Sequence, residues 1–209
     1  VAVICAALWG ALVGLLKART GAHEVIVTIM LNYVALNFFT WLLRTPELLL
    51  EANGGGTPKS DPPADTAMLP TLFGDMYKIH IGIFFAVAAA FIYWLLMDRS
   101  AIGYRFKMVG HNMSAARAAG IKVESTFIWA MAVSAAFAGL AAANQGLSET
   151  GGITTSINAN IGFDAITVAL LGGNSAKGIF AAGLLFGAFK AGSPAMQVAG
   201  VSPEILGVV

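Results

Sequence analysis

Apolar residues run in long unbroken stretches along this chain, and the breaks between stretches hold nearly all of its charge. The runs are "VAVICAALWGALVGLL" (1–16), "VIVTIMLNYVALNFFTWLL" (25–43), "IHIGIFFAVAAAFIYWLLM" (79–97) and "STFIWAMAVSAAFAGLAAA" (125–143). None alternates apolar with polar positions, as a half-buried strand would. About 20 apolar residues in a helix cross the hydrocarbon of a bilayer, and a strand with open edges would leave its backbone unpaired there. The pattern therefore predicts spanning helices, with 1–16 a short or truncated one. Two more apolar stretches follow, "GFDAITVALLGG" (162–173), too short to cross, and "GIFAAGLLFGAFKAG" (178–192). The expected architecture is an all-α, polytopic transmembrane helical bundle forming one domain over residues 1–209.

Composition sharpens the class. Of the 209 residues, 57% are hydrophobic and 11% are charged, against about 25% charged in a soluble domain. A net charge of +1 says nothing about nucleic acid; what matters is where the charges lie, and no nucleic-acid partner is expected. The one cysteine, Cys5, lies in an apolar run, so no disulfide framework is expected. Val1 stands inside an apolar run and "SPEILGVV" opens another; we read the chain as an internal segment of a longer membrane protein.

Charge sets the orientation, because short loops rich in Lys and Arg stay in the cytoplasm. The 17–24 break carries Lys17 and Arg19, and the 98–124 break carries Arg99, Arg105, Lys107, Arg117 and Lys122 against Asp98 and Glu124. Between them, 44–78 holds Glu47, Glu51, Asp61, Asp65 and Asp75 against Arg44, Lys59 and Lys78. Alternating spans place 17–24 and 98–124 on one side and 44–78 on the other. The first two are expected to be cytoplasmic loops, and the Gly/Pro-rich third to be an external loop.

Within the 98–124 loop, "GHNMSAARAAGIK" (110–122) predicts a short helix. Asn112 or Ser114 can cap its start by accepting from a free backbone N–H, and Gly120 suits a left-handed stop. Between them Ala115, Ala116, Ala118 and Ala119 present little beyond methyl groups, with Arg117 among them. About two turns of helix are marginal alone in water, so the segment needs a surface. Anionic headgroups and the groove of a cytosolic partner are the two candidates. A helix lying on lipid requires a large apolar face, which alanine methyls do not supply, so the groove is the better match.

Gly110 to Ile121, read as Gly-x-Asn-x-x-Ala-Ala-Arg-x-Ala-Gly-Ile, resembles the cytoplasmic coupling-loop motif of ABC importer permeases. The likeness is to permeases for branched-chain amino acids, ribose and nucleosides. "HEVIVTIMLNYVALNFFTWLLR" (23–44) resembles the nucleoside and simple-sugar permeases most, with His23 where Asn is common. "GFDAITVALLGGNSAKGIFAAGLLFGAFKAG" (162–192) resembles another segment of theirs, with Ala176 where Pro is common. The resemblance implies that residues 112–120 couple to ABC ATP-binding subunits. It also implies a second permease subunit (a copy of itself or a homologue), an extracytoplasmic substrate-binding protein or lipoprotein, and a plasma-membrane location. The glycine run "GGNSAKG" (172–178) lacks the Gly-Lys-Ser/Thr spacing that cradles phosphates, so ATP is expected on another chain.

Polar residues inside apolar stretches mark the expected path of a nucleoside or sugar. Thr28, Asn32 and Asn37 interrupt the 25–43 run, with Thr40 beyond them; Thr28 and Asn32, four apart, share a face. Either they line the path or they hydrogen-bond between helices. The 144–175 region, polar and glycine-rich where it leads into 162–173, suggests a broken or re-entrant helix, tolerated at membrane depth where protein or water covers it. Asp164 sits near the start of that helix, where a carboxylate complements the dipole, and Phe163 offers an aromatic face. Both are candidates for the path as well as for capping and packing. Gly10 with Gly14, and Gly183 with Gly187, predict close helix contacts. No catalytic nucleophile–base pair, metal-ligand spacing or cofactor motif is present. An ion-coupled secondary transporter is the alternative; it needs ionisable residues at mid-membrane, and the interiors of the full spans have none.

Overall fold

The computed structural model describes residues 1–21, 23–45, 48–49, 58–64, 80–148, 152–155 and 161–198. Among these, the helices are α1 (Ala2–Thr20), α2 (Glu24–Arg44), α3 (Gly82–Arg99), α4 (Ala101–His111), α5 (Met113–Ala118), α6 (Val123–Ser148), α7 (Ile161–Leu171) and α8 (Ala176–Val198). The one extended pairing among the described residues is an isolated antiparallel bridge from Lys59 to Thr154. The all-α expectation holds. Four helices, Ala2–Thr20, Val25–Arg44, Gly82–Arg99 and Val123–Ser148, are long and apolar enough to cross a membrane. Most of the 44–78 segment, together with 149–151 and 156–160 of the polar stretch before α7, lies outside the described residues.

Several boundaries differ from the hydropathy reading. α1 continues to Thr20, so Lys17 and Arg19 belong to its last turn, and Gly21 ends it at φ 65°. α6 begins at Val123 and carries Asn144 and Gln145 to Ser148. A helix does not stop where apolar composition stops; backbone hydrogen bonding continues into the polar flanks until a residue breaks it. The larger correction concerns 98–124, which is helical over most of its length, through α4 and α5.

The described residues fall into two compact units, one within 1–89 and 95–157, the other within 90–94 and 158–209. In the first, α1 lies along α6. Glycines set that approach: a Cβ at Gly10 would come within 2.4 Å of Ala135 Cβ, and one at Gly14 within 2.7 Å of Ile128 Cα. Gly139 of α6 does the same from the other side, 2.6 Å from Ala6 Cβ. The contact predicted at Gly10 and Gly14 is made. In the second unit, α7 and α8 form a hairpin. Gly173, at φ 58°, and Asn174, at φ 55°, close α7, with Asn174 N–H donating back to Ala169 O at 3.0 Å. Ser175 then opens α8, its Oγ accepting from Gly178 N–H at 3.2 Å. The contact predicted at Gly183 and Gly187 is not made within the described residues: Gly187 has open space, and a Cβ on Gly183 would just reach Val168 at 4.0 Å.

A candidate coupling site

The α3–α4 corner sets the position of everything after it. Ser100 Oγ donates to Leu96 O at 2.6 Å and accepts from Gly103 N–H at 3.0 Å, ending α3 and capping α4 in one residue. Gly103 lies so near α3 that a Cβ there would stand 2.1 Å from Leu96 O. Lys107 of α4 reaches back to Asp98 at 2.7 Å. With both side chains about half exposed, that pair adds little stability; the glycine contact and the cap fix the turn. α4 therefore folds back at the end of α3, with Gly103 and Val109 buried.

One residue separates α4 from α5. Asn112, with φ −157° and ψ 107°, ends α4 through its N–H to Met108 O at 3.1 Å. Its Oδ1 accepts from Ala115 N–H at 3.0 Å and starts α5. Asn112 is thus the cap, and Ser114 is an exposed residue of the first turn. The far end closes with Gly120 at φ 79°. There Ile121 N–H donates to Ala116 O and Gly120 N–H to Arg117 O, both at 3.0 Å. This paired pattern with an apolar residue beyond the glycine is the Schellman motif. It gives a helix of six residues a defined start and a defined stop.

Ala116 corrects part of the sequence reading. It is 0% exposed and packs in a cluster with Val109 of α4 and Val123 of α6, 5% and 1% exposed, flanked by Ile121 and Phe127. The first surface that α5 lies against is its own chain. Ala116 is therefore an anchor, while Asn112, Ser114, Ala115, Arg117, Ala118, Ala119 and Gly120 remain exposed. What projects is a small nub whose exposed side chains are short apart from Met113, 51% exposed, and the Arg117 guanidinium.

That nub is tied to the spans. Arg117 pairs with Glu124 in the first turn of α6 at 3.0 Å. Lys17, in the last turn of α1, stands 4.5 Å over the ring of Phe127 of α6. A cavity of about 340 Å³ is bordered by Lys17, Gly21, His23, Arg117, Glu124 and Phe127. The end of α1, the start of α2 and the α5–α6 corner thus border one cavity, and α5 itself packs on α4 and α6. Sequence reasoning missed Val109, Val123 and Phe127 as the seat of α5. Ser100 followed by apolar positions at 102, 106 and 109 was the available signal for α4.

The polar residues of α2 look mostly to their own helix. Thr28 Oγ1 donates to Val25 O at 2.9 Å, Asn37 Nδ2 to Tyr33 O at 2.8 Å, and Thr40 Oγ1 to Leu36 O at 2.8 Å. The interhelical bonds weighed for them are not formed among the described residues. Asn32 is exposed and has no side-chain hydrogen bond among those residues. In the second unit Phe163 is exposed, and Asp164 pairs with Lys190 of α8 at 2.5 Å. The helix is short as expected: eleven residues at 1.5 Å each make about 16 Å, half of the ~30 Å hydrocarbon.

The chain is 38% identical over 209 residues to the guanosine ABC transporter permease protein of Bacillus subtilis, covering 97% of this chain and 58% of that one. It is 34% identical over 215 residues to the nucleoside ABC transporter permease protein of Lactococcus lactis, covering 100% of this chain and 59% of the relative. A glucose ABC transporter permease protein of Haloferax volcanii is 30% identical over 214 residues, with 98% and 56% covered. The chain thus spans somewhat under two thirds of the length of these relatives. No solved structure matches it. The model of the branched-chain amino acid transport system permease component family matches residues 1–209, and the chain belongs to that family.

Proposed function

We propose that this chain is part of the membrane-spanning subunit of an ATP-driven importer, carrying nucleosides across the plasma membrane by alternating access. The observation that carries the reading is α5. A six-residue helix capped at both ends, anchored by buried Ala116 and exposing short side chains between Met113 and Arg117, is suited to a groove in another protein. Basic residues at 17–19 and 99–122 support a cytoplasmic position for it. There ATP-binding subunits engage Asn112, Ser114, Ala115, Arg117, Ala118, Ala119 and Gly120. Their closure moves α5, and the shared corner passes the movement to α1, α2 and α6. A second permease subunit, a copy or a homologue, and an extracytoplasmic binding protein or lipoprotein complete the assembly.

Nucleosides are preferred as substrate because the two relatives at 34–38% identity are named for guanosine and nucleosides. The relative named for glucose, at 30%, supports simple sugars as a second reading. Thr28, Asn32, Asn37, Phe163 and Asp164 are the proposed path residues, offering hydroxyl, amide, aromatic and carboxylate groups to a base and a sugar. The test is uptake of labelled guanosine into vesicles holding the complete transporter, with ATP or a non-hydrolysable analogue on the cytoplasmic side. ATP-dependent uptake that excess guanosine blocks and glucose does not is the expected result. Uptake driven by an ion gradient without ATP would refute it in favour of a secondary transporter.

A further inference from the structure

The Asp164–Lys190 pair joins two helices that otherwise touch lightly. α7 has no buried residue. At the turn it meets α8 closely, where a Cβ on Gly178 would stand 2.0 Å from Gly172 O. Midway, the glycine at 183 leaves Val168 little to pack on. At the open end of the hairpin, Lys190 Nζ donates to Asp164 Oδ2. The geometry favours that meeting. Side chains tilt toward the N-terminus of their helix, so in an antiparallel pair Asp164 leans out from the turn while Lys190 leans back toward it. In sequence, Asp164 stands between Phe163 and Ala165, and Lys190 between Phe189 and Ala191.

We propose that Lys190 is a positioning residue for transport: through Asp164 it fixes α7 on α8, so that the hairpin moves as one body and holds Phe163 and the carboxylate in one register. The inference rests on the permease reading above. Asp164 and Lys190 are 38% and 58% exposed; in water a pair so placed is worth little. Around apolar helices of a membrane protein the surroundings are lipid or protein, where parting two opposite charges is costly. The pair therefore links α7 and α8 away from their turn.

The experiment uses the full-length permease in its complete transporter, with guanosine as the probe. Lys190→Met and Asp164→Asn each lower the maximal uptake rate by about tenfold or more, at equal membrane abundance, while Lys190→Arg keeps most of it. Normal transport by Lys190→Met would overturn the proposal, as would a Lys190→Arg variant no better than Lys190→Met. A second arm oxidises Val168→Cys with Gly183→Cys in a Cys5→Ser background. Transport that survives the bridge supports one-body motion; loss on oxidation with recovery on reduction contradicts it. Should the wild-type transporter take up no nucleoside, the substrate reading fails by itself. The same variants are then ranked by the ATP hydrolysis rate of the assembled transporter, where the same order is expected and equal rates would overturn the pairing role.

Discussion

Replacing Asn112 by Ala removes one acceptor at the start of a helix too short to lose it. In the structure Asn112 Oδ1 is the partner of Ala115 N–H at 3.0 Å, and α5 has only six residues. Losing such a cap costs about 1 kcal/mol, within a range of ~0.5–2, and 1 kcal/mol shifts an equilibrium about fivefold. Opening of α5 should therefore become about fivefold more frequent. The buried cluster of Val109, Ala116 and Val123 keeps the rest of the corner in place, so the change stays local. Hydrogen exchange followed on a peptide covering 112–121 is the assay. Asn112→Ala should speed exchange of that peptide about fivefold, and Asn112→Ser, which keeps an acceptor, should change it by less than about twofold. Unchanged exchange in Asn112→Ala, or equal acceleration in both variants, would refute the capping role.

Three further outcomes are expected. Ala118→Arg, on the exposed face of α5, should abolish ATP-coupled uptake without lowering membrane insertion, read by uptake and immunoblot together. Asn32→Leu should weaken uptake while assembly with partner subunits is retained; unchanged uptake kinetics would remove Asn32 from the path. Gly14→Val, whose Cβ would meet the α6 backbone at 2.7 Å, should destabilise the protein by about 1–3 kcal/mol, the usual cost of overpacking. Gly110→Val, with nothing within 4 Å, should cost far less, and thermal unfolding of the two purified variants compares them.

The spanning helices were legible because lipid solvation imposes one simple rule, a long apolar run, and α2, α3 and α6 obey it. Gly10 and Gly14 were legible because a glycine pair four apart leaves room for one neighbour, and α6 occupies it. The same spacing at Gly183 and Gly187 found no neighbour among the described residues, since spacing shows that a groove exists and not what fills it. α4 was hidden by its charges: Arg105 and Lys107 broke the apolar signal, while Gly103 and Val109 faced inward. The bounds of α5 followed from local chemistry at Asn112 and Gly120, but the inward turn of Ala116 depended on Val123, across a corner that spacing alone does not describe. Asp164 was noticed for its place near a helix start. Its partner, 26 residues on, was set by the hairpin.

The central claim is that α5 faces the cytoplasm and is held there by a separate ATP-binding subunit. The most direct test places one cysteine at Ala118 in a Cys5→Ser background and labels it with a membrane-impermeant maleimide. Right-side-out vesicles should leave the cysteine unlabelled, inside-out vesicles should label it, and added ATP-binding subunits should protect it. Labelling from the outer face, or no protection by the ATP-binding subunits, would contradict the account.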